Sequence, residues 1–415
     1  GDLLPVALNK DFPIIYAVPK AIEDPAEAAN LAAPLLARSA SELQKKFSSG
    51  DSYAVLMKKA DENLAKEIKV LGVKGLYIGR EEGRFYTLES TASHLLGFVS
   101  PKSDGPGEVG QYGVEGFYEG KLAGAPGEVE GSRVVLPLPG EDLFLTIDPN
   151  IQLQAERILK DLVDGFEAEG GSVIVQNPRD GKILAMTSLP DFDPNGYGKF
   201  PIANFLNPVT QQVYEPGSVF KVITMAAGID SGKITPETTY FDSGSVTING
   251  RTITNYDILT HGPYGKVTMT NVLERSINTG AVFAQREMGR EIFAKYAAGF
   301  GFGEKTGVDL PAEVGGDLRR LSPKERDIAF ATASYGQGVA VTPLELINAF
   351  SAIGNGGVLL RPYLNSELEP KVIRRVISET AAKQVARMMV SAVDKAEVAK
   401  IAGYSIAGKT GTAFV

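Results

Sequence analysis

The 415-residue chain has 42 basic and 50 acidic residues, for a net charge of −8, with 43% hydrophobic and 22% charged residues. This is the balance of a globular protein with room for two or three domains, and its acidity argues against nucleic acid or an anionic membrane surface as the main partner. Cysteine is absent, which excludes disulfides, thiolate zinc sites and cysteine nucleophiles and suits an oxidising compartment. Two histidines, His94 and His261, are too few for a histidine-rich metal centre. Any Ser-His-Asp triad would have to rest on one of them, and both read as surface or structural residues. No stretch approaches the ~20 consecutive apolar residues of a membrane span, and no signal peptide opens the chain.

In chain order, residues 1–140 differ in texture from the rest. Asp24 to Leu36 and Asp61 to Leu71 have the period of short amphipathic helices, while Ile14-Ile15-Tyr16-Ala17-Val18 and Tyr53-Ala54-Val55-Leu56 read as strands. Ser100 to Gly110 is rich in Gly, Pro and Ser and reads as a loop. Pro137-Leu138-Pro139-Gly140 is the expected domain boundary, giving domains of 1–140 and 141–415. Beyond it, Leu143 to Ile147 is expected as a strand. Asp148 is placed to cap a helix with Pro149 at its first position and Ile151, Ala155, Ile158, Leu159 and Leu162 on one face. Ser172-Val173-Ile174-Val175 and Ile183-Leu184-Ala185-Met186 flank Asn177-Pro178-Arg179-Asp180-Gly181 as a hairpin. Helical patterns dominate from Ser218 to about Ser351, and Ala381, Val385, Met388, Met389 and Ala392 mark a late helix. Tyr404 to Ala407 is expected to enter a final strand. The class is α+β: strands at both ends with helices between suggest an antiparallel sheet enclosing, or covered by, a helical insertion.

The chemistry concentrates in Glu215-Pro216-Gly217-Ser218-Val219-Phe220-Lys221. Lys221 is the single charge in a nearly all-apolar run from Val219 to Ile229, so the helix is expected to be buried on every side. A buried ammonium is disfavoured, which lowers the amine's pKa and makes it available as a base. Residues three apart share a helix face, so this amine can reach the Ser218 hydroxyl at the positive helix end. A lone S-x-x-K arises by chance in a chain this long. Ser276-Ile277-Asn278, the only S-x-N, supplies a hydroxyl and an amide. Lys409-Thr410-Gly411-Thr412-Ala413, expected on a strand edge, allows close backbone approach and suits a carboxylate. A second K-T-G, Lys305-Thr306-Gly307, lies in a glycine-punctuated loop and reads as a decoy.

S-x-x-K, S-x-N and K-T-G in this order resemble the three motifs of the penicillin-binding and serine β-lactamase superfamily. Tyr214-Glu215-Pro216-Gly217-Ser218 and Tyr335-Gly336-Gln337-Gly338 with Thr342-Pro343 are similar to class B penicillin-binding proteins. So are Arg84-Phe85-Tyr86, His94-Leu95-Leu96-Gly97 and the patch Gly110-Gln111-Tyr112-Gly113-Val114-Glu115 with Tyr118, Leu122, Gly124 and Gly127. The resemblance implies an α+β transpeptidase domain, an antiparallel sheet with helices and an all-helical subdomain, preceded by an elongated mixed α+β pedestal. It also implies a peptidoglycan D,D-transpeptidase with Ser218 as nucleophile and Lys221 as its base. Ser276 and Lys409 would pass a proton to the leaving D-Ala, and the Ser218 and Thr412 N–H groups would form an oxyanion hole. Asn278 would bind the substrate backbone, Thr410 and Thr412 its terminal carboxylate, and Gly411 would let the peptide backbone approach closely. No cofactor or metal is implied.

By the same resemblance, the partners are peptidoglycan stem peptides, β-lactam antibiotics and, through residues 1–140, a membrane glycosyltransferase and other cell-wall synthesis proteins. The location is the extracytoplasmic face of the bacterial cytoplasmic membrane, with an anchor expected before Gly1 and further strands after the K-T-G element. Tyr214-Glu215-Pro216 favours the division branch over elongation. Two alternatives remain: a β-lactamase of the same fold, for which Glu345-Leu346-Ile347-Asn348 has superficially suitable spacing, and a non-catalytic penicillin-binding scaffold.

Overall fold

The computed structural model describes residues 3–103, 107–125, 127–130, 133–136 and 138–413. The chain forms two compact units, Gly1–Glu89 and Ser90–Val415. This spatial division comes earlier in the chain than the change of sequence texture near residue 140.

In the first unit the strand Ala7–Ala17 lies between Ala54–Met57 and Leu76–Tyr86, antiparallel to both. The helices Pro25–Leu36 and Glu62–Val70 start where Asp24 and Asp61 accept bonds from exposed first-turn N–H groups. A third helix, Ala40–Phe47, capped by Ser39, has no counterpart in the sequence reading. The strand Leu76–Tyr86 also escaped that reading, because two glycines and a run of charges break its alternation. It is held by pairing along all eleven residues with Ala7–Ala17. Ile15, Leu36, Leu43, Phe47, Leu56 and Ile68 make the core.

In the second unit a short helix, Ser93–Leu96, is followed by a hairpin, Phe98–Pro101 with Glu108–Gln111. The expected loop Ser100–Gly110 thus pairs at its flanks, while its tip, residues 104–106, lies outside the described residues. So does Pro137 of the expected boundary. The patch that follows is packed within this unit: Tyr118 donates its hydroxyl proton to Asp309 at 2.8 Å, and Glu141 N bonds Lys121 O at 2.9 Å. The Tyr118 hydroxyl is pushed well above its ordinary pKa by burial and by that carboxylate.

Asp148 caps the helix Pro149–Gly165 as expected, but the buried face differs. Gln152, Ala155 and Leu159 are buried, whereas Ile158 and Leu162 are about half exposed. The Gln152 amide bonds both the N–H and the C=O of Met186, at 2.9 and 3.1 Å. It thereby satisfies backbone groups of the strand Ile183–Leu189, which a hydrophobic side chain could not do. That strand forms the expected hairpin with Gly171–Gln176. Leu143–Ile147 does not form a strand. Leu145 makes a single bridge with Asn365, and Thr146 N bonds Leu364 O at 2.7 Å, because its neighbour runs alongside for too short a distance to extend the ladder.

A turn of 3₁₀ helix, Gly217–Phe220, continues into the α-helix Lys221–Asp230. Helices Met269–Glu274, Asn278–Met288, Arg290–Gly299 and Glu379–Ala396 pack around it. Phe220, Val222, Ile223, Met225 and Ala226 are at most 1% exposed, so the helix is surrounded by apolar side chains, as the sequence implies. The expected helical run is interrupted by two antiparallel pairs, Thr239–Asp242 with Gly265–Thr268 and Ser245–Ile248 with Arg251–Thr254. The expected strand at Tyr404–Ala407 is absent, and residues 401–413 form no strand. Among the described residues no segment pairs with them, and an isolated extended chain has no ladder to stabilise it. The α+β class holds, and among the described residues the paired strands run antiparallel, with one isolated parallel bridge between Lys182 and Tyr363.

Leu43 is fully buried in the small core of the first unit. Leu43→Ala is expected to destabilise that unit by about 2–5 kcal/mol, measured as a shift in the urea midpoint of a circular-dichroism transition.

Candidate active site

Four side chains from three distant parts of the chain form one hydrogen-bonded series. Lys221 Nζ lies 2.8 Å from Ser218 Oγ, 3.0 Å from Ser276 Oγ and 2.6 Å from the Ser276 carbonyl oxygen. Lys409 Nζ lies 3.0 Å from the same Ser276 Oγ and 2.9 Å from the carbonyl of Thr410. The Ser276 hydroxyl therefore bridges two amines.

The electrostatics follow from this placement. Lys221 is fully buried. Burial first, and then the positive charge of Lys409, push its amine well below its ordinary pKa, with the Asp257 carboxylate opposing them. Burial also brings the Lys409 amine down to about 8. The site thus holds two amines of different proton affinity on either side of one hydroxyl, an arrangement able to accept a proton at one point and supply it at another.

Backbone conformation brings the pieces together. Gly217 has φ +57°, and a Cβ there would lie 2.4 Å from Thr412 O. Gly336 has φ +83°, and a Cβ there would lie 2.0 Å from Gly217 O, while Gly217 N bonds Gly336 O at 3.1 Å. At both positions only glycine combines the left-handed conformation with the close approach. On either side, Tyr214 pairs with Val341, and Glu215 Oε1 accepts from Gly338 N at 2.8 Å. The segment Tyr335–Gly338 is therefore a brace for the turn carrying Ser218, a role its sequence alone did not reveal. Ser276 itself has φ +55°, the left-handed region that a side chain rarely adopts.

The other expected residues divide as follows. Asn278 donates from Nδ2 to Thr254 O at 2.9 Å. Gly411 sits on the Ser218 turn, where a Cβ would meet Val219 Cγ2 at 2.4 Å, and the side chains of Thr410 and Thr412 are exposed. Lys409 to Ala413 thus lies beside Ser218 as an irregular segment and not as the expected strand edge. The decoy K-T-G is elsewhere engaged: Thr306 Oγ1 donates to Glu313 Oε1 at 2.5 Å. Glu345 has its carboxylate occupied by the N–H groups of Gly303, Gly316 and Thr342 at 2.7–2.9 Å. His94 is buried against Phe192, and His261 is exposed and stacked on Tyr264.

The sequence pattern of the penicillin binding protein transpeptidase domain matches residues 171–415, and that of the penicillin-binding protein dimerisation domain matches residues 4–134. The chain is 33% identical to stage V sporulation protein D of Bacillus subtilis, over 98% of this chain and 67% of that protein. It is 30% identical to peptidoglycan D,D-transpeptidase FtsI of Escherichia coli K12, over 87% of this chain and 62% of that protein. A peptidoglycan synthetase from Bifidobacterium adolescentis superposes with a TM-score of 0.71 at 25% identity, over 98% of this chain and 82% of that one. The chain spans about two thirds or less of the length of these two curated relatives.

The depressed Lys221 pKa makes folding pH-dependent. Between its folded and unfolded pKa values, the unfolded chain binds a proton that the folded chain does not, so stability increases as pH rises through that window and declines as pH falls. The stability of the native chain relative to Lys221→Met is therefore expected to increase from pH 7 to pH 9, measured by urea unfolding at each pH.

Proposed function

The chain belongs to the penicillin-binding protein transpeptidase family, and from that premise we propose that it is a peptidoglycan D,D-transpeptidase working through a Ser218 acyl-enzyme. The observation that carries this reading is the unbroken Ser218–Lys221–Ser276–Lys409 series, with its buried amine 2.8 Å from the Ser218 hydroxyl. Neutral Lys221 takes the Ser218 proton as Oγ attacks the carbonyl of the penultimate D-Ala of a stem peptide. The C–N bond to the terminal D-Ala breaks, and its amine receives a proton relayed through Ser276 from the lysine pair. An amine of a second stem peptide then attacks the acyl-enzyme and gives up a proton to Lys221, which returns it to Ser218 Oγ as the ester C–O bond breaks. The N–H groups of Ser218 and Thr412 serve the oxyanion, Asn278 the substrate backbone, Thr410 and Thr412 the terminal carboxylate, and Gly411 the close approach of the peptide. β-Lactams, which mimic the donor, acylate the same hydroxyl.

The transpeptidase part is taken as residues 141–415 and the pedestal as 1–140, a boundary lying between the two family matches. The pedestal is the proposed docking part for a membrane glycosyltransferase and other wall-synthesis proteins, and Tyr214-Glu215-Pro216 favours septal over lateral synthesis. The proposed location is the extracytoplasmic face of the cytoplasmic membrane. No helix among the described residues is long and apolar enough to cross a membrane. A hydrolytic role resting on Glu345 is disfavoured, since that carboxylate is committed to three backbone N–H groups.

Ser218→Ala is expected to abolish covalent labelling by fluorescent penicillin while the circular-dichroism spectrum stays native. Lys305→Ala should leave labelling unchanged. Persistent labelling of Ser218→Ala would refute the reading. The acylation rate of the native chain is expected to trace a bell with pH. It falls on the acid side as Lys221 protonates, and near pH 8 on the alkaline side as Lys409 loses its charge. Stopped-flow acylation between pH 5 and 10 measures both limbs.

A further inference from the structure

Ser276 joins both lysines, yet its backbone is in the left-handed region, so something outside the lysine pair must hold it there. Immediately after it, Asn278 begins the helix Asn278–Met288, and the first turn of that helix is tied down from three directions. Asn278 Nδ2 bonds Thr254 O at 2.9 Å, Thr279 N bonds Asn255 Oδ1 at 3.1 Å, and Thr279 Oγ1 donates to Asp242 Oδ1 at 2.6 Å.

Asp242 is the centre of this arrangement. It is completely buried, and both carboxylate oxygens are engaged by neutral donors. Oδ1 also accepts from Gly244 N at 3.1 Å and Asn255 Nδ2 at 3.1 Å, while Oδ2 accepts from Asn255 Nδ2 at 3.0 Å and Tyr264 N at 2.9 Å. Burial would raise this carboxyl, but the bonds from Thr279, Tyr264, Gly244 and Asn255 outweigh it and hold the group below its ordinary pKa. The titratable neighbours acting on it or on its partners are Tyr240, whose hydroxyl is 3.2 Å from Thr279 Oγ1, and Tyr264. A buried charge stabilised by several fixed dipoles is rigid, because moving any one donor leaves the charge undercompensated. The network gathers the ends of the strands Thr239–Asp242 and Arg251–Thr254, the loop at Tyr264 and the helix start at Thr279, all around the Ser276 turn.

We infer that Asp242, acting through Thr279 and Asn255, is a positioning residue that fixes Ser276 against Lys221 and Lys409. This rests on the transpeptidase reading of the site and extends it to a side chain that touches neither substrate nor lysine. Thr279 is three residues from Ser276, so loss of its hydroxyl bond frees the helix start and lets the Ser276 oxygens move from their 2.6 and 3.0 Å contacts with Lys221 Nζ. Misplacement of about 1 Å in such a series costs on the order of 10²-fold in rate.

The test compares Thr279→Val, Thr279→Ser and the near-isosteric Asp242→Asn with the native chain, using fluorescent penicillin acylation from pH 5 to 10. Thr279→Val and Asp242→Asn are expected to acylate about 10- to 100-fold more slowly at pH 7. In both, the acid limb should move to lower pH, since Lys221 loses acceptors that favour its charged form. Thr279→Ser keeps the hydroxyl and should stay within about threefold of the native rate with its acid limb unmoved. A native rate and acid limb in both Thr279→Val and Asp242→Asn would overturn the inference, as would a Thr279→Ser as slow as Thr279→Val. Either result, with the native chain still labelled at Ser218, leaves the transpeptidase reading standing. Failure of the native chain itself to be labelled is the distinct outcome that defeats that reading.

Discussion

An amine sealed inside an apolar helix bundle is the constraint around which this structure is organised. The helix Lys221–Asp230 is buried on all sides, and charge on Lys221 at that depth is opposed by several kcal/mol of lost hydration. The neutral amine carries a lone pair, and it has hydroxyl groups on two sides. One is Ser218, one helical turn earlier in the chain; the other is Ser276, from the turn between the helices Met269–Glu274 and Asn278–Met288. The same desolvation that makes the residue costly to bury holds its amine well below the ordinary lysine range and so frees its lone pair to act as a base. Lys409, closer to solvent and less depressed, supplies the positive charge that disfavours a second one on Lys221.

Bringing four side chains from three regions within hydrogen-bond distance requires backbone to approach backbone. Gly217 lies between Gly336 and Thr412 at separations that a single methyl group would destroy. Ser276 takes the left-handed conformation without being glycine, and the bonds at Asp242, Asn255 and Thr254 hold the helix start that follows it. These are costs a protein accepts where geometry matters more than stability. Reactive groups held at about 3 Å before substrate arrives have little left to reorganise when it does.

Much of this could be read from the sequence, where local rules apply. The spacing of Ser218 and Lys221 in an apolar run gave both their shared helix face and the depressed amine. Asp24, Asp61 and Asp148 marked helix starts correctly, and the hairpin around Asn177–Gly181 followed from its turn residues. What escaped depends on partners distant in sequence. Gln152 is buried because Met186 needs its amide, so apolar periodicity misjudged that face of the helix. The strand Leu76–Tyr86 exists through its pairing and not its composition. Lys409 to Ala413 has strand-like residues but no neighbour to pair with among the described residues. Asp242 and Thr279 stand 37 residues apart in segments with no motif to join them, and the left-handed turn at Ser276 has no glycine to announce it.

The central claim is that burial holds the Lys221 amine well below the pKa of an ordinary lysine, and the most direct test is a ¹⁵N NMR titration of the lysine side chains, with Lys221→Met identifying the resonance. The account predicts one lysine nitrogen that titrates well below the others and is missing from the variant. A Lys221 nitrogen that stays protonated up to pH 10, together with its solvent-exposed counterparts, would contradict it.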